Sequence, residues 1–360
     1  MSSKVLFSSV KYENYDADYT LPAKFGRLID RMGMQDVVKD RLTVIKMHVG
    51  RGIGYSTIHP VFVKILVDKL KEFGAKVYIT DQVIDGMKSR GYTEDFLGVP
   101  IVYACGVTGK YFYEKKVDFK TLRDIDIAGN IHDAEVMIDL SHAKGHGFCG
   151  YGGACKNIAM GCVTDRTRQQ IHGLVGKIEW FPELCTHCEM CIRSCNHKAN
   201  RFNEKNEYEV HDHNCTLCQH CVKICPNSAI RMDADRYDDF QRGMAICTEE
   251  VLKIFKPGHV FYINFLMNIT AMCDCWGFTT PSLVPDIGVM GSTDIVAIER
   301  ASLDAIKFEN LIMDGVPQGW ELRDGNHLFE KLHGRNPFIQ LGELEKRCLG
   351  TQEYTIEEVR

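Results

Sequence analysis

The sequence predicts an α/β fold, in which a parallel or mixed sheet is covered by helices and interrupted by a smaller α+β module. Two observations carry this prediction. Apolar strand-like runs alternate with segments of helical spacing, and a cysteine-rich repeat separates the earlier runs from the later ones. At 360 residues, with 45% hydrophobic and 25% charged residues, the chain is long enough to bury a substantial core.

A strand, a helix and a second strand follow one another near the start of the chain. The run RLTVIKMHV (41–49) is rich in β-branched and other apolar residues, which favours a strand. The segment PVFVKILVDKLKEFG (60–74) has apolar residues at helical spacing, and Ser56 or Thr57 is the predicted helix cap. The run KVYIT (76–80) is the second strand, so the three segments predict a β-α-β unit.

Later segments complete the predicted sheet. The runs AEVMIDL (134–140) and VFYINFL (260–266) are apolar enough to be buried strands. The segment STDIVAIERASLDAI (292–306) has helical spacing and predicts a covering helix. Because these runs lie on both sides of the cysteine-rich repeat, we expect them to join one sheet.

The inserted module is defined by the spacing of its cysteines. Eight of the sixteen cysteines form two copies of C-x2-C-x2-C-x3-C: Cys185, Cys188, Cys191, Cys195, Cys215, Cys218, Cys221 and Cys225. This is the pattern of bacterial two-cluster ferredoxins. The predicted organisation is therefore one α/β domain in two parts, 1–176 and 233–360, with a ferredoxin-like module at 177–232.

The spacing also predicts which cysteines hold each of two 4Fe–4S clusters. Three thiolates on a tight loop hold three irons of one cluster, while the fourth cysteine of the run binds the other cluster. The predicted ligands of cluster one are Cys185, Cys188, Cys191 and Cys225. The predicted ligands of cluster two are Cys215, Cys218, Cys221 and Cys195. A zinc ribbon, the alternative interpretation of paired C-x2-C units, needs only four ligands and leaves four thiolates unexplained.

Composition argues against several classes of function. The formal net charge of -5, with scattered lysines and arginines, offers no basic surface for nucleic acid. The most apolar run, 260–272, is too short to span a bilayer and is broken by Asn264 and Asn268. The amino-terminal residues lack the apolar centre of a signal peptide, so we expect a cytoplasmic protein with no membrane span.

Three loops follow predicted strands, and we expect them at the carboxyl edge of the sheet. The first is GRGIGY (50–55), whose spacing departs from the G-x-G-x-x-G of dinucleotide sites and favours a tight turn. The second is HAKGHGFCGYGGACKNIAMGC (142–162), in which dense glycine lets the backbone approach a bound group closely. The third is CDCWGFTTPSLVPDIGVMGSTD (273–294).

If these loops converge, they form a polar pocket. The residues that they would contribute are Lys46, His48, Lys144, His146, Lys156, Asn157, Cys273, Asp274, Cys275, Asp286 and Asp294. Lysines and glycine amides suit an anionic group such as a carboxylate or phosphate. We expect Lys144, Lys156 and Asn157 to bind the anionic end of a small-molecule substrate. His146 is the predicted proton donor.

Several cysteines outside the module lie only in the second and third loops. They are Cys149, Cys155, Cys162, Cys273 and Cys275. Cys149, Cys155, Cys273 and Cys275 are candidate ligands of a third metal ion or cluster. The C-x-C spacing is poor geometry for a disulfide, so a metal is favoured over a disulfide. Free buried thiols are the simpler alternative.

At these residues the chain resembles a known family. The runs SHAKGHGFCGYGGACKNIAMGC (141–162) and PDIGVMGSTDIVAIERASLD (285–304), with the cysteine repeat and CDC, are similar to the iron–sulfur proteins of domain-of-unknown-function family 362 that carry a ferredoxin module. The tail NPFIQLGELEKRCLGTQEYTI (336–356) also resembles that family. The resemblance implies a site built from the K-G-H and G-G-x-x-K-N signatures, and it implies no substrate. The residues of these signatures are Lys144, His146, Gly152, Gly153, Lys156 and Asn157. The predicted cofactor contacts are Gly152, Gly153 and Lys46.

The function predicted from the sequence is that of an oxygen-sensitive iron–sulfur oxidoreductase. Its module would relay electrons between a redox protein partner and the loop site. Covalent fusion raises the effective concentration of the electron carrier at that site. Two alternatives stay open: a non-catalytic electron-transfer subunit of a larger redox complex, and a metallocofactor assembly protein whose additional cysteines hold metal in transit.

Overall fold

The computed structural model describes residues 2–195, 198–211, 215 and 220–360. The strands in these ranges are β1 (Ser3–Ser9), β2 (Leu42–Met47), β3 (Lys76–Asp81), β4 (Ile101–Tyr103), β5 (Phe112–Phe119), β6 (Leu122–Ala128), β7 (Val136–His142), β8 (Lys144–His146), β9 (Gly150–Gly152), β10 (Gly176–Trp180), β11 (Asn200–Phe202), β12 (Tyr208–Val210), β13 (Ile230–Ala234), β14 (Val260–Leu266), β15 (Gly288–Ser292) and β16 (Tyr354–Glu358). The α-helices are α1 (Leu21–Arg31), α2 (Gln35–Val38), α3 (Pro60–Glu72), α4 (Glu94–Leu97), α5 (Gly129–His132), α6 (Ala154–Gly161), α7 (Asp165–Gly173), α8 (Met190–Arg193), α9 (His220–Ile224), α10 (Tyr237–Leu252), α11 (Ile295–Ala305), α12 (Leu328–His333) and α13 (Phe338–Lys346). None of these helices combines the length and the apolar character that crossing a membrane requires.

Eight of the described strands form one central sheet, in the order β16-β1-β15-β14-β7-β2-β3-β4. Neighbouring strands are parallel except where β15 pairs with β1 and with β14, so β15 alone runs in the reverse direction within this sheet. The predicted β-α-β unit is β2, α3 and β3, whose strands pair directly. The prediction of a parallel or mixed sheet covered by helices is confirmed.

Side chains alternate between the two faces of the sheet along each strand. Each face therefore contributes to its own hydrophobic core, and helices cover both. In β2, Val44 packs into one hydrophobic core and Ile45 packs into the other. Helices α1 and α3 cover the second face, where the rings of Phe25, Phe62 and Phe265 lie 5.1 to 5.9 Å apart between centroids. Helices α6, α10, α11 and α13 pack together on the first face. Strand β7 is consequently buried along its whole length, as the apolar run predicted.

The cap of one helix and the first residue of another differ from the predictions. Helix α3 starts at Pro60, and His59 is its cap, since the His59 ring accepts a hydrogen bond from the Val61 amide at 3.3 Å. Proline is favoured at the first helical position because that amide has no partner within the helix. The predicted caps Ser56 and Thr57 lie before the helix. The segment predicted to be helical from Ser292 forms helix α11 only from Ile295, because Ser292 still belongs to β15.

The cysteine-rich segment (177–232) leaves and rejoins the α/β fold through paired strands. Strands β10 and β13 are antiparallel, so the chain enters and leaves the segment side by side. Its described part also contains the β11–β12 hairpin, α8, α9 and a small core around Tyr208 and Ile230. Strands β14, β15 and β16 then join strands from the first part of the chain in the central sheet. The domain boundaries themselves stay a prediction.

Candidate functional site

The three predicted loops leave neighbouring strands of the sheet. Strands β2, β7 and β14 are adjacent and parallel, so their carboxyl ends meet at one edge. The third loop contacts both others: the backbone oxygen of Asp274 accepts a hydrogen bond from the Arg51 amide at 3.3 Å, and its carboxylate lies 2.8 Å from His142 Nδ1. The loops therefore converge on a common site.

A buried ion pair forms the floor of this site. Lys46 Nζ lies 3.1 Å from Asp81 Oδ1 and donates a hydrogen bond to Asn157 Oδ1 at 2.5 Å. The other Asp81 oxygen lies 2.8 Å from His48 Nδ1. Burial opposes ionisation of Asp81, but the charge of Lys46 and the hydrogen bond from His48 hold its pKa well below the ordinary value. Asp81 is a site residue that sequence analysis missed, although it directly follows the predicted second strand.

Asn157 connects three elements of the fold. Its amide nitrogen donates to Asp139 Oδ1 at 2.8 Å and to the backbone oxygen of Lys46 at 3.1 Å, while its oxygen accepts from the Lys46 ammonium. Asp139 lies beneath it, and burial raises the pKa of this carboxyl to about 7. Asn157 thus joins α6 to β2 and β7, and its polar atoms are engaged by the protein itself.

The two predicted anion-binding lysines are both buried and hydrogen-bonded. Lys144 Nζ donates to the backbone oxygen of His142 at 2.6 Å and lies 4.0 Å from Asp274 Oδ2. Lys156 Nζ donates to Cys273 Sγ at 3.3 Å. Burial acts against the ammonium form, but the negative charge of the Cys273 thiolate and of neighbouring cysteines outweighs it and raises the pKa of Lys156 above the ordinary value. Both lysines therefore place positive charge beside the third loop.

His146 lies in an environment that disfavours its protonated form. Burial, together with the nearby charge of Lys156, holds the pKa of His146 well below the ordinary value. Its Nδ1 lies 3.2 Å from the Phe148 amide and 3.3 Å from Cys149 Sγ. A neutral imidazole is a poor proton donor and a good metal ligand. The lowered pKa disfavours proton donation by His146, and that role stays a prediction.

The C-D-C turn brings two thiols next to His146. The ligand atoms of His146, Cys273 and Cys275 all lie within 4.8 Å of one another. Burial favours the neutral thiol, yet the hydrogen bond from Cys275 and the charge of Lys156 hold the pKa of Cys273 well below the ordinary value. That same hydrogen bond, with burial, raises the pKa of Cys275.

Other predicted residues lie outside this group. Asp294 caps α11 by accepting from the amides of Val296 and Ala297, and exposed Asp286 accepts from the Asn268 amide. Cys155 faces away from the site, where its sulfur lies 3.6 Å from Thr248 Oγ1. Cys149 approaches only the Nδ1 side of His146. Of the four cysteines predicted to bind a third metal, two therefore lie in the compact group with His146, namely Cys273 and Cys275.

The predicted glycines make room for neighbouring side chains. A Cβ on Gly153 would lie 2.3 Å from the Tyr151 hydroxyl, and one on Gly152 would lie 3.1 Å from Lys156 Cδ. A cavity of about 40 Å³ opens above Gly153. Its polar lining comprises Lys46, His48, Asp81, Lys144, Lys156, Asn157, Arg168 and Cys275. This volume holds about one water molecule or one oxygen of a ligand.

The cysteine-rich segment places four of its predicted ligands around one cavity. Cys185, Cys188, Cys191 and Cys225 line it together, although Cys225 comes from the second copy of the spacing. In each copy the sulfur of the fourth cysteine accepts a backbone hydrogen bond at 3.2 Å, from Ala199 to Cys195 and from Ala229 to Cys225. Cys218 lies outside the described residues, whereas Cys215 and Cys221 lie within them.

Two further cavities lie between the segment and the α/β fold. A cavity of about 320 Å³ has Phe148 and His172 on its lining, together with Tyr208 and Cys215 of the segment. A larger cleft of about 890 Å³ is lined by Arg51, Arg168 and His172, and by Arg201 and His211 of the segment.

A known family covers this whole arrangement. The model of the domain of unknown function DUF362 matches residues 43–304, a range that holds all three loops and the cysteine-rich segment. This chain belongs to the DUF362 family. The match of this DUF362 protein extends from β2 almost to the end of α11.

Similarity to characterised proteins is distant. No curated protein matches this DUF362 chain. Similar solved structures include the lactate racemase apoprotein from Thermoanaerobacterium thermosaccharolyticum, with 11% identity and a TM-score of 0.35 over 74% of this chain and 50% of that one. A protein from Thermotoga maritima has 11% identity and a TM-score of 0.36, over 71% and 52% respectively. The chain spans about half the length of each of these structures.

Glu299 is a buried carboxylate against the second loop that sequence analysis missed. It lies fully buried on α11, where its Oε1 accepts a hydrogen bond from the Cys155 amide at 3.0 Å. Burial raises the pKa of Glu299 to about 8. The signal was a carboxylate at an apolar helical position, since Ile295, Ile298, Ser302 and Leu303 share its buried face.

We expect the contribution of Glu299 to the stability of this DUF362 protein to fall as the pH rises from about 5 to 8. Because the folded pKa of Glu299 exceeds the ordinary value of 4.5, the folded state retains a proton in this range that the unfolded state has lost. Glu299→Gln should therefore gain stability relative to the native protein as the pH rises, and urea denaturation at both pH values measures this difference in the free energy of unfolding. Glu309→Gln, at an exposed position, is the matched control. Equal pH dependence in both variants would contradict this assignment.

Proposed function

We propose that this protein is an iron–sulfur oxidoreductase in which the cysteine-rich segment exchanges electrons with the Lys/His-lined site of the α/β fold. The observation that carries the proposal is the cavity of about 320 Å³ shared by Cys215 of the segment and His172 of the α/β fold. Cys215 is a predicted ligand of cluster two. One wall of the cavity therefore belongs to the proposed electron carrier. The other wall belongs to the α/β fold, which contains the Lys/His-lined site.

Aromatic side chains connect this cavity with the site. The ring of His172 lies 5.0 Å from that of Phe148, which lies 6.1 Å from the ring of His146. Phe240 packs beside them, 5.2 Å from His172 and 6.4 Å from His146 between centroids. Electron transfer slows steeply as the gap between groups widens. A series of packed rings supports the route from Cys215 to His146.

The donor atoms of the segment fit iron–sulfur clusters. Thiolates are the usual cluster ligands, and four of the predicted ones share a cavity. Clusters held there would supply one-electron transfer. The backbone hydrogen bonds to Cys195 and Cys225 are contacts that adjust such potentials. These contacts support the two-cluster prediction over a zinc ribbon, which leaves half of the thiols without a role.

The charges around the site favour an anionic substrate. Lys144, Lys156 and Arg168 line the cavity of about 40 Å³, and Arg168 also lines the cleft of about 890 Å³. The small cavity has room for one oxygen, whereas the cleft has room for the rest of a small molecule. We therefore place a carboxylate or phosphate group near Lys144 and Lys156, with its body in the cleft.

The proposal is tested with anaerobically purified protein reduced by dithionite. We expect about eight iron atoms per chain and a reduced EPR signal from two coupled clusters. A panel of carboxylates and phosphates is then screened for anions that reoxidise the clusters. Lys156→Ala should slow reoxidation by the active anion at least about tenfold, because it removes a charge at the proposed binding position.

The matched control is Lys64→Ala, which removes a lysine paired with Asp68 on the surface of α3. This variant should react like the native protein. Absence of cluster iron, or equal rates in the Lys156 and Lys64 variants, would contradict the proposal. Intact clusters that no anion reoxidises would favour the non-catalytic electron-transfer subunit.

A further inference from the structure

We propose that His146, Cys273 and Cys275 bind a single divalent transition-metal ion of borderline softness, separate from the predicted clusters. Their ligand atoms lie within 4.8 Å of one another, and no other group of three such donors in the described ranges is as compact. Two thiolates and one imidazole form a donor set typical of Zn²⁺ and of neighbouring transition metals. The site goes beyond the electron route, since an ion can bind there without turnover.

The backbone holds these donors in place. The Gly145 amide donates to the Thr270 oxygen at 2.9 Å, which fixes β8 against the segment that leads to Cys273. A Cβ on Gly145 would lie 2.3 Å from the Ala271 oxygen, so this close approach requires glycine. Cys273 and Cys275 belong to one tight turn, in which the Cys275 amide donates to Cys273 Sγ at 3.5 Å. The site therefore needs little rearrangement to bind an ion.

The charges around the donors suit a thiolate-bound cation. Lys156 Nζ donates to Cys273 Sγ at 3.3 Å, a contact of the kind that orients and tunes metal thiolates. Two thiolates, a neutral imidazole and a divalent ion together carry no net charge. Lys156 then adds a positive charge beside the ion, whereas the charge of Lys144 is opposed by Asp274 at 4.0 Å.

Three protein ligands leave one position of a tetrahedral ion free. Structural zinc sites use four protein ligands, whereas catalytic sites use three and exchange the fourth. Cys275 also lines the cavity of about 40 Å³ with Lys144 and Lys156, and this cavity has room for about one water molecule. A free position on the ion would then lie near the cavity that Cys275 lines. It suits an oxygen of a carboxylate or phosphate that the two lysines also contact.

The test measures zinc retention without any assay of activity. Cluster-loaded protein is incubated anaerobically with one equivalent of Zn²⁺ and desalted, and zinc and iron are counted by mass spectrometry. Native protein should retain about one zinc per chain. Cys273→Ser/Cys275→Ser should lose at least about tenfold in zinc affinity with unchanged iron. Cys247→Ser, which replaces a buried thiol elsewhere in the fold, should behave like the native protein.

Zinc X-ray absorption of the native protein provides a second readout. We expect two sulfur neighbours at about 2.3 Å and a nitrogen neighbour at about 2.0 Å. If the double variant loses iron as well, His146→Ala decides, because it removes one donor and leaves both thiols. No zinc in the native protein, equal zinc in the donor variants, or zinc without sulfur neighbours would each overturn the proposal. Cluster iron and the EPR signals of the clusters are measured separately from zinc. The result for the zinc site therefore does not decide whether the proposed electron route is correct.

Discussion

A Cys188→Ser/Cys225→Ser variant is expected to keep about four iron atoms per chain, whereas the native protein is expected to hold about eight. Both cysteines line one cavity with Cys185 and Cys191, although Cys225 belongs to the other copy of the spacing. If that cavity holds cluster one, the two substitutions remove the same cluster. Anaerobic iron and sulfide determination, with EPR of the reduced protein, measures the result.

The matched control for this prediction is Cys188→Ser/Cys195→Ser. Cys195 is outside the lining of that cavity, although its sulfur accepts the same kind of backbone hydrogen bond as Cys225. These two substitutions should remove both clusters and leave almost no iron. The opposite pattern, with half of the iron kept in the control, would mean that each copy of the spacing holds its own cluster.

Asp274→Asn is expected to lower the free energy of unfolding at pH 7 by about 3 to 5 kcal/mol, the range for removing one partner of a buried ion pair. Asp274 is fully buried and accepts from Ser56 at 2.8 Å, and Arg90 lies 3.8 Å away. The substitution leaves Arg90 and Lys144 buried without their carboxylate. Urea denaturation followed by circular dichroism measures the loss, and exposed Asp324→Asn is the matched control.

The same variant should differ least from the native protein in acid. Burial opposes ionisation of Asp274, but the charge of His142 outweighs it and holds the pKa well below the ordinary value. The stabilisation is therefore complete above the unfolded value of about 4 and is lost as the pH falls below it. A constant difference between the two proteins from pH 6 to pH 3 would contradict this role.

The sheet was predictable because buried parallel strands are apolar along their length. The runs at 41–49, 134–140 and 260–266 each became a strand, although the first strand is shorter than predicted. The cap of α3 was wrong because the pattern gave no weight to His59, whose ring can cap a helix that starts with proline. Local patterns predicted the types of elements better than their ends.

The candidate site was only partly predictable. Lys46, Lys144 and Lys156 do line one cavity, as convergence of the loops requires. Asp81 and Glu299 were missed because their sequence neighbours indicate a strand and a helix and nothing more. The substrate contact of Asn157 stays a prediction, and its hydrogen bonds connect α6 to two strands, which no local pattern indicated. The residue type of a side chain shows which ligands it can bind. Its hydrogen-bond partners in the fold decide whether its polar atoms are available for a ligand.

By itself, the sequence determined the α/β class, the doubled cysteine spacing and the residue types carried by three glycine-rich or cysteine-rich loops. Only the tertiary structure decided which of those residues meet. Strands β2, β7 and β14 are far apart in the chain and adjacent in the sheet, and this order places His146 beside Cys273 and Cys275. Asp294 lies outside this group and caps a helix instead. Contacts between distant segments depend on strand order and helix packing, which no local pattern encodes.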